Sequence, residues 1–279
     1  MTAKTIVITG AAGGLGLVTA RHLVQAGMDV VLVGRDGERT AAAARGLPGN
    51  VRSLAADLSH RAQVWDLAAK LEADGTPVDV LVNNAGAAFP RYAETPDGAE
   101  RTYAVNHHAP FLLTHALLKA GMFTPEARII NLSSFLEKRG KLDVHDPDVL
   151  GTSWRKRFYS QIHVYATSKL LSLLASKELA RRLPQGVKVY NADPGMVKGT
   201  GINTNAGGLM RLTAPLFRPF SITPDEGVRT IVHLATATPA PEPSGGFFTN
   251  AAPSEPSPRA VDPALALAIY ERTAATLGL

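Results

Sequence analysis

The stretch Lys4–Gly27, KTIVITGAAGGLGLVTARHLVQAG, decides the fold. It opens on Ile6, Val7 and Ile8, a β-branched run without polar alternation, the pattern of a strand buried on both faces. It closes on an amphipathic segment, Leu15–Gly27, that reads as a helix stopped by glycine. Between them lies TGAAGGLG, Thr9–Gly16. Glycines let the backbone turn tightly and let a pyrophosphate approach without Cβ atoms in the way. The helix start then presents free N–H groups and its positive end. Gly10, Ala12, Gly14, Leu15 and Gly16 are therefore the expected cradle of a dinucleotide.

Working outward, the same alternation continues to the end of the chain. Strands are expected at Lys4–Thr9, Asp29–Gly34, Val51–Asp57, Val78–Asn83, Arg128–Ser134, Val187–Asp193 and Gly246–Asn250, with helical segments between nearly all of them. Apolar strands separated by helices imply a parallel sheet covered on both sides. The expectation is one α/β domain over 1–279, a Rossmann-type, doubly wound sheet of about seven strands. The Pro-rich stretches Thr238–Gly246 and Ala252–Pro263 read as loops.

Composition narrows the function. The chain has 279 residues, 45% of them hydrophobic, enough for one large core. Its net charge of +5 is spread out, and the densest basic run, RKRF at Arg155–Phe158, is too short for a nucleic-acid stripe. No nucleic-acid partner is expected. The absence of cysteine excludes disulfides, thiolate metal sites and thiol nucleophiles. The N-terminal segment lacks the form of a signal peptide, and no run approaches ~20 apolar residues. A cytoplasmic location is expected.

The end of the second strand bears on which nicotinamide cofactor is used. NAD binding usually places a carboxylate there for the ribose diol. Here the chain reads Gly34–Arg35–Asp36. A small residue followed by Arg leaves room for a 2′-phosphate and supplies a planar cation, so NADP is favoured. Asp36 keeps NAD in play. Asp57 and Leu58, after the third strand, are placed to meet the adenine. NNAG, Asn83–Gly86, puts Asn84, Ala85 and Gly86 at the carboxyl edge of the sheet, where such ligands lie.

With a dinucleotide in the same chain, Tyr165 and Lys169 gain a purpose. They stand at i and i+4 on one helix face. A phenol titrates near ~10, and bringing it to neutrality takes about 4 kcal/mol of differential stabilisation. An ammonium one turn away and a positive nicotinium ring act in that direction. Ser133 and Ser134, in NLSS at a strand end, offer a hydroxyl to the substrate oxygen.

TGAAGGLG, NNAG, Asn106 in YAVNHHAPFLLT, NLSS, YATSK and DPG (Asp193–Gly195) occur in an order and context that resembles the short-chain dehydrogenase/reductase family. The resemblance implies that Ser134 binds the substrate oxygen, Tyr165 transfers the proton, and Lys169 lowers the Tyr pKa and binds ribose. It implies that Asn106 holds a water linking Lys169 to solvent, and that Pro194, Gly195 and the Val197 backbone cover the nicotinamide carboxamide. The long gap between Ser134 and Tyr165, with an insertion over 135–158, and the C-terminal tail resemble the retinol-dehydrogenase-like branch. That branch implies NADP and lipophilic carbonyls. Helices around Asn106 and Tyr165 that pair across a two-fold axis would make a homodimer or homotetramer. Gly199 stands where the family usually has Thr, with Thr200 one place later.

Other residues read as structural. Adjacent His107 and His108 point about 100° apart on a helix, without a carboxylate at ligand spacing, and no metal site is expected. His163 lines the pocket or the surface. Glu137, His145 and Asp146 read as solvated loop; Trp65 and Trp154 as packing or rim. The segment 194–223 has no acidic residue and sets Lys198, Arg211 and Arg218 among apolar side chains. It reads as a substrate lid, with peripheral membrane contact as a lesser alternative.

The function expected is NADP-dependent interconversion of a carbonyl and an alcohol on a lipophilic small molecule. Two rivals stand beside it: a non-redox lyase, isomerase or epimerase on the same scaffold, and a non-catalytic NADP-binding regulator.

Overall fold

A computed structural model describes residues 3–156, 158–198 and 221–279. Strands and helices alternate: β1 Thr5–Thr9, α1 Gly14–Gln25, β2 Asp29–Gly34, α2 Gly37–Arg45, β3 Val51–Ala55, α3 Arg61–Asp74, β4 Val78–Asn83, the short α4 Arg101–Tyr103, α5 Ala109–Lys119, β5 Phe123–Leu132, α6 Gln161–Arg182, β6 Lys188–Asp193, α7 Pro224–Gly227, α8 Arg229–Thr236, β7 Phe247–Thr249, β8 Ala252–Ser254 and α9 Pro263–Leu277. They form one sheet in the order β3-β2-β1-β4-β5-β6-β7-β8. β1 pairs with both β2 and β4, so the strand order reverses beside it. At such a reversal the loops leaving adjacent strands splay to opposite faces and open a crevice at their carboxyl ends.

Period-two alternation distributes the core. Val7 packs into the layer built by α3, α5, α6 and α9, while Ile6 and Ile8 pack into the layer with α1 and α8. All three are fully buried, which is why β1 carries no polar alternation.

Two expectations are corrected. The sheet has eight strands rather than about seven, because β8 lies inside Ala252–Pro263, which reads as loop. β7 and β8 pair antiparallel around Asn250 and Ala251, both at positive φ (53° and 61°). That is the geometry of a tight hairpin, and Ala251 hides the usual Asn-Gly signal. Pro253 is tolerated because β8 is an edge strand. Second, β3 and β5 stop at Ala55 and Leu132, which releases Asp57, Ser133 and Ser134 into the loops at the carboxyl edge. The helices around Asn106 and Tyr165 also pack against the C-terminal helix of the same chain. α9 lies along α6, His107 Nε2 meets Thr273 at 2.9 Å, and His115 Nε2 accepts from Tyr270 at 2.7 Å. Among the described residues, no helix is long and apolar enough to cross a membrane.

Candidate active site

The loops after β1 and β4 interlock. Asn84 Nδ2 donates to Thr9 O at 2.8 Å and Gly10 O at 3.2 Å, and Ala85 N donates to Thr9 Oγ1 at 3.0 Å. A Cβ on Gly10 would stand 2.8 Å from Ala85 Cα, and one on Gly16 would stand 2.6 Å from Asn84 Nδ2. Both glycines are required by this close approach. Gly14, at φ +55°, faces open space and is exposed, so the backbone at the start of α1 is accessible. Leu15 is buried instead in a small apolar cluster with Val197 and Val228. The strand-to-helix turn thus has the shape a pyrophosphate needs.

At the end of β2, Gly34 is small for a packing reason: a Cβ there would collide with the Thr40 hydroxyl. Asp36 caps α2, its Oδ1 accepting from Arg39 N at 3.0 Å. Arg35 is exposed. Arg39 is a residue the sequence reading missed. Its guanidinium lies against the glycine loop, with Nη2 2.9 Å from where a Gly13 Cβ would be. The signal was its place in the first turn of α2, one turn beyond Arg35. Asp57 accepts from Ser59 N at 2.9 Å and Ser59 Oγ at 2.7 Å. Burial pushes its carboxyl up, but these bonds, with the nearby His60 and Arg35, leave it below the usual range. Leu58, half-buried, follows it.

The four expected catalytic residues converge on the carboxyl edge. Tyr165 (5% exposed) and Lys169 (3%) sit one turn apart on α6. Lys169 Nζ reaches across to Leu132 O at 2.6 Å, and lies 5.7 Å from the Tyr165 ring centroid. Ser134 hydrogen-bonds with Tyr165 through its side chain and caps the turn Phe135–Arg139. The neighbouring Ser133 Oγ is buried without a hydrogen-bond partner. Asn106 falls in a π-helical turn, Ala104–His108, that rotates it out of α-helical register. Its Oδ1 accepts from Ala87 N at 2.8 Å, and its Nδ2 donates to Ala87 O and Ser168 Oγ, both at 2.9 Å. A Cβ on Gly86 would lie 3.6 Å from both Asn106 Oδ1 and Lys169 Nζ, so NNAG, the π turn and α6 meet at one point.

Burial dominates the electrostatics of the pair. Burial pushes the Tyr165 phenol above its ordinary value; the Ser134 bond opposes this and Asp193 adds to it. Burial pushes the Lys169 ammonium down to about 8, against the field of Asp193. Desolvation is the larger influence on both.

Val197 is buried and bridges to Ile222, with Ile222 N donating to Met196 O at 2.8 Å and Lys198 N to Ile222 O at 3.0 Å. Pro194 and Gly195 are half-buried beside them. The expectations for Gly199, Thr200, Arg211, Arg218 and the middle of the segment 194–223 lie outside the described residues. His107 and His108 are buried in the helix layer, and the described residues hold no acidic or histidine cluster able to bind a metal. His163 is half-buried. Trp154 packs inside, donating to Tyr103 Oη at 2.9 Å, while Trp65 stands at the surface. His145 and Asp146 are exposed, but Glu137 is fully buried and accepts from Ser257 N at 2.7 Å and Ser257 Oγ at 2.5 Å. Its partner lies far along the chain, so local sequence could not reveal it.

Comparison with known proteins adds the family. Residues 4–143 match the family model described as short chain dehydrogenase. The chain is 34% identical to human (Homo sapiens) retinol dehydrogenase 13, over 99% of this chain and 85% of that protein. It is 35% identical to retinol dehydrogenase 12 of Bos taurus, over 99% and 87%. Among solved structures, an uncharacterised protein from Mycobacterium paratuberculosis is 31% identical with a TM-score of 0.79, over 99% and 93% of the two chains. A metagenomic short-chain oxidoreductase in complex with NADP is 27% identical with a TM-score of 0.64, over 89% and 97%. The 3-ketoacyl-(acyl-carrier-protein) reductase of Brucella melitensis complexed with NADH is 26% identical with a TM-score of 0.65, over 88% and 96%.

Proposed function

The chain belongs to the short-chain dehydrogenase/reductase family, as an oxidoreductase that interconverts alcohol and carbonyl groups, and from that premise we propose that it is an NADP-dependent carbonyl reductase or alcohol dehydrogenase for a lipophilic small molecule. The observation that carries the reading is the meeting of Ser134, Tyr165, Lys169 and Asn106 beside the interlocked loops after β1 and β4.

The cradle fits a nicotinamide dinucleotide. The Gly10–Gly16 backbone would hold the pyrophosphate, with Asp57 and Leu58 toward the adenine and Asn84–Gly86, Pro194, Gly195 and the Val197 backbone toward the nicotinamide end. When bound, the cofactor supplies hydride in reduction and accepts it in oxidation. In reduction, the hydroxyls of Ser134 and Tyr165 bind the carbonyl oxygen, and Tyr165 delivers its proton to that oxygen. The high affinity of the buried phenol for its proton suits an acid. The positive charge of an oxidised nicotinamide ring would act against it in the oxidative direction. Lys169 supplies a cation within the same buried pocket, and Asn106 keeps the loop at Ala87 in place.

NADP preference rests on α2. Asp36 commits one carboxylate oxygen to the helix cap, which leaves it less free to hold an NAD ribose. Arg35 and Arg39 stand on either side of that cap, and two guanidinium forks suit a 2′-phosphate. A lipophilic substrate is supported by apolar side chains exposed in the stretch after Ser134: Phe135 (40%), Val144 (48%) and Phe158 (91%).

A panel of lipophilic aldehydes and ketones, run with NADPH and NADH side by side, tests the reading. At least one substrate is expected to consume NADPH, at a kcat/KM for cofactor at least about tenfold above NADH. No cofactor consumption across the panel, or a preference for NADH, contradicts it.

A further inference from the structure

Asp193 ends β6 at the same edge as Ser134 and Lys169, and the mechanism above gives it no task. It is 4% exposed. Its oxygens serve two loops. Oδ2 accepts from the N–H of Phe135, the residue after Ser134, at 3.1 Å. Oδ1 accepts from Gly195 N at 3.0 Å, where the chain turns through φ +74°. One carboxylate therefore joins the loop that carries Ser134 to the loop expected over the nicotinamide. Burial pushes its carboxyl above the ordinary value, opposed by these two N–H donors and by the cations Lys138 and Lys169, so its charge depends on those partners. Among the described residues, the charged and titratable groups acting with it are Lys138 on the turn after Ser134, and Lys169 and Tyr165 on α6. Lys138 is exposed, which leaves Lys169 as the buried cation.

We propose that Asp193 is a positioning residue of this site: its two oxygens fix the loops on either side of the reacting groups, and its charge is the counter-charge that keeps Lys169 protonated in a buried place. The proposal rests on the assignment of Tyr165 and Lys169 above. Reduction needs a charged Lys169 and a protonated Tyr165. A carboxylate favours both forms, opposing burial at Lys169 and reinforcing it at Tyr165. Removing that charge lets both groups lose their protons at lower pH.

The test is the pH profile of kcat/KM for NADPH-dependent carbonyl reduction. In Asp193→Asn the falling alkaline limb is expected to move down by about one pH unit, the size usual for a close charge. Asp193→Ser, which also lacks the charge, should move it the same way, and Asp193→Glu should leave it near wild type. A lower rate with an unmoved limb in the uncharged variants overturns the proposal, since a merely structural role lowers the rate at every pH. Aspartate carboxyl NMR on the wild-type holoenzyme, assigned with Asp193→Glu, reads the charge without an uncharged variant. An ionised Asp193 across the active pH range is expected, and a neutral one overturns the proposal. Tyr165→Phe is run alongside: retained turnover there sinks the underlying assignment, whereas lost turnover with an unmoved Asp193→Asn limb sinks the Asp193 proposal alone.

Discussion

Cofactor choice narrows to four residues at the end of β2 and the start of α2. Gly34 makes room because Thr40 needs it to, Asp36 caps α2, and Arg35 and Arg39 are the cations. A charge-assisted hydrogen bond contributes about 1.5–3 kcal/mol. Arg35→Ala is therefore expected to raise KM for NADPH by roughly ten- to a hundredfold while leaving KM for NADH within about threefold. Arg39→Ala should act in the same direction. Steady-state kinetics with both cofactors checks each, and equal effects on the two cofactors would remove the 2′-phosphate from consideration. Gly34, Arg35 and Asp36 were legible because they are adjacent in sequence. Arg39 was visible only as a cation one turn beyond Arg35, since its relation to Gly13 exists only after α2 folds back over the first loop.

At the scale of elements, the turn before α5 brings together what distant stretches supply. Asn106 satisfies both backbone groups of Ala87, so Asn106→Ala would leave a partly buried N–H and C=O without their side-chain partner. A loss of about 1–3 kcal/mol in unfolding free energy is expected from denaturant titration, with turnover reduced. The same helix layer buries its histidines in neutral form. His108 Nε2 donates to Val149 O at 2.8 Å, and burial pushes its imidazole down to about 4. Burial also holds His107 and His115 below their ordinary value. Thr273 already donates to Ile269 O, so His107 Nε2 is the donor between them. The unfolded chain protonates these rings at about 6.5. Stability from keeping them neutral is thus complete above that pH and is lost as pH falls toward 4. For His108 alone the loss by pH 4 is roughly 3 kcal/mol. Urea midpoints measured across this range should fall with acidification, and His108→Gln should flatten the slope. A wild-type midpoint that holds constant would contradict buried, neutral histidines.

At the scale of the whole molecule, alternating strands and helices placed the sheet, its carboxyl edge and the glycine loop in sequence alone. β8 escaped because Ala251 hides its turn signal, and strand ends and the buried Glu137 escaped because each depends on a partner far along the chain. The covering of α5 and α6 by α9 escaped for the same reason. α9 buries Leu265, Ile269, Tyr270 and Leu277. Ile269→Ala is expected to cost about 2–5 kcal/mol, read by denaturant titration. With that face occupied by the chain's own helix, light scattering should give the mass of a monomer rather than a dimer or tetramer. Beneath these features lies a single chemical claim, that the buried phenol of Tyr165 exchanges the proton while a nicotinamide cofactor exchanges the hydride. The direct measurement is Tyr165→Phe beside the wild-type chain, with NADPH binding followed by fluorescence and carbonyl reduction by loss of NADPH absorbance. Turnover should fall by at least about a thousandfold with the cofactor Kd within about threefold. Turnover that survives the loss of that hydroxyl would contradict the claim.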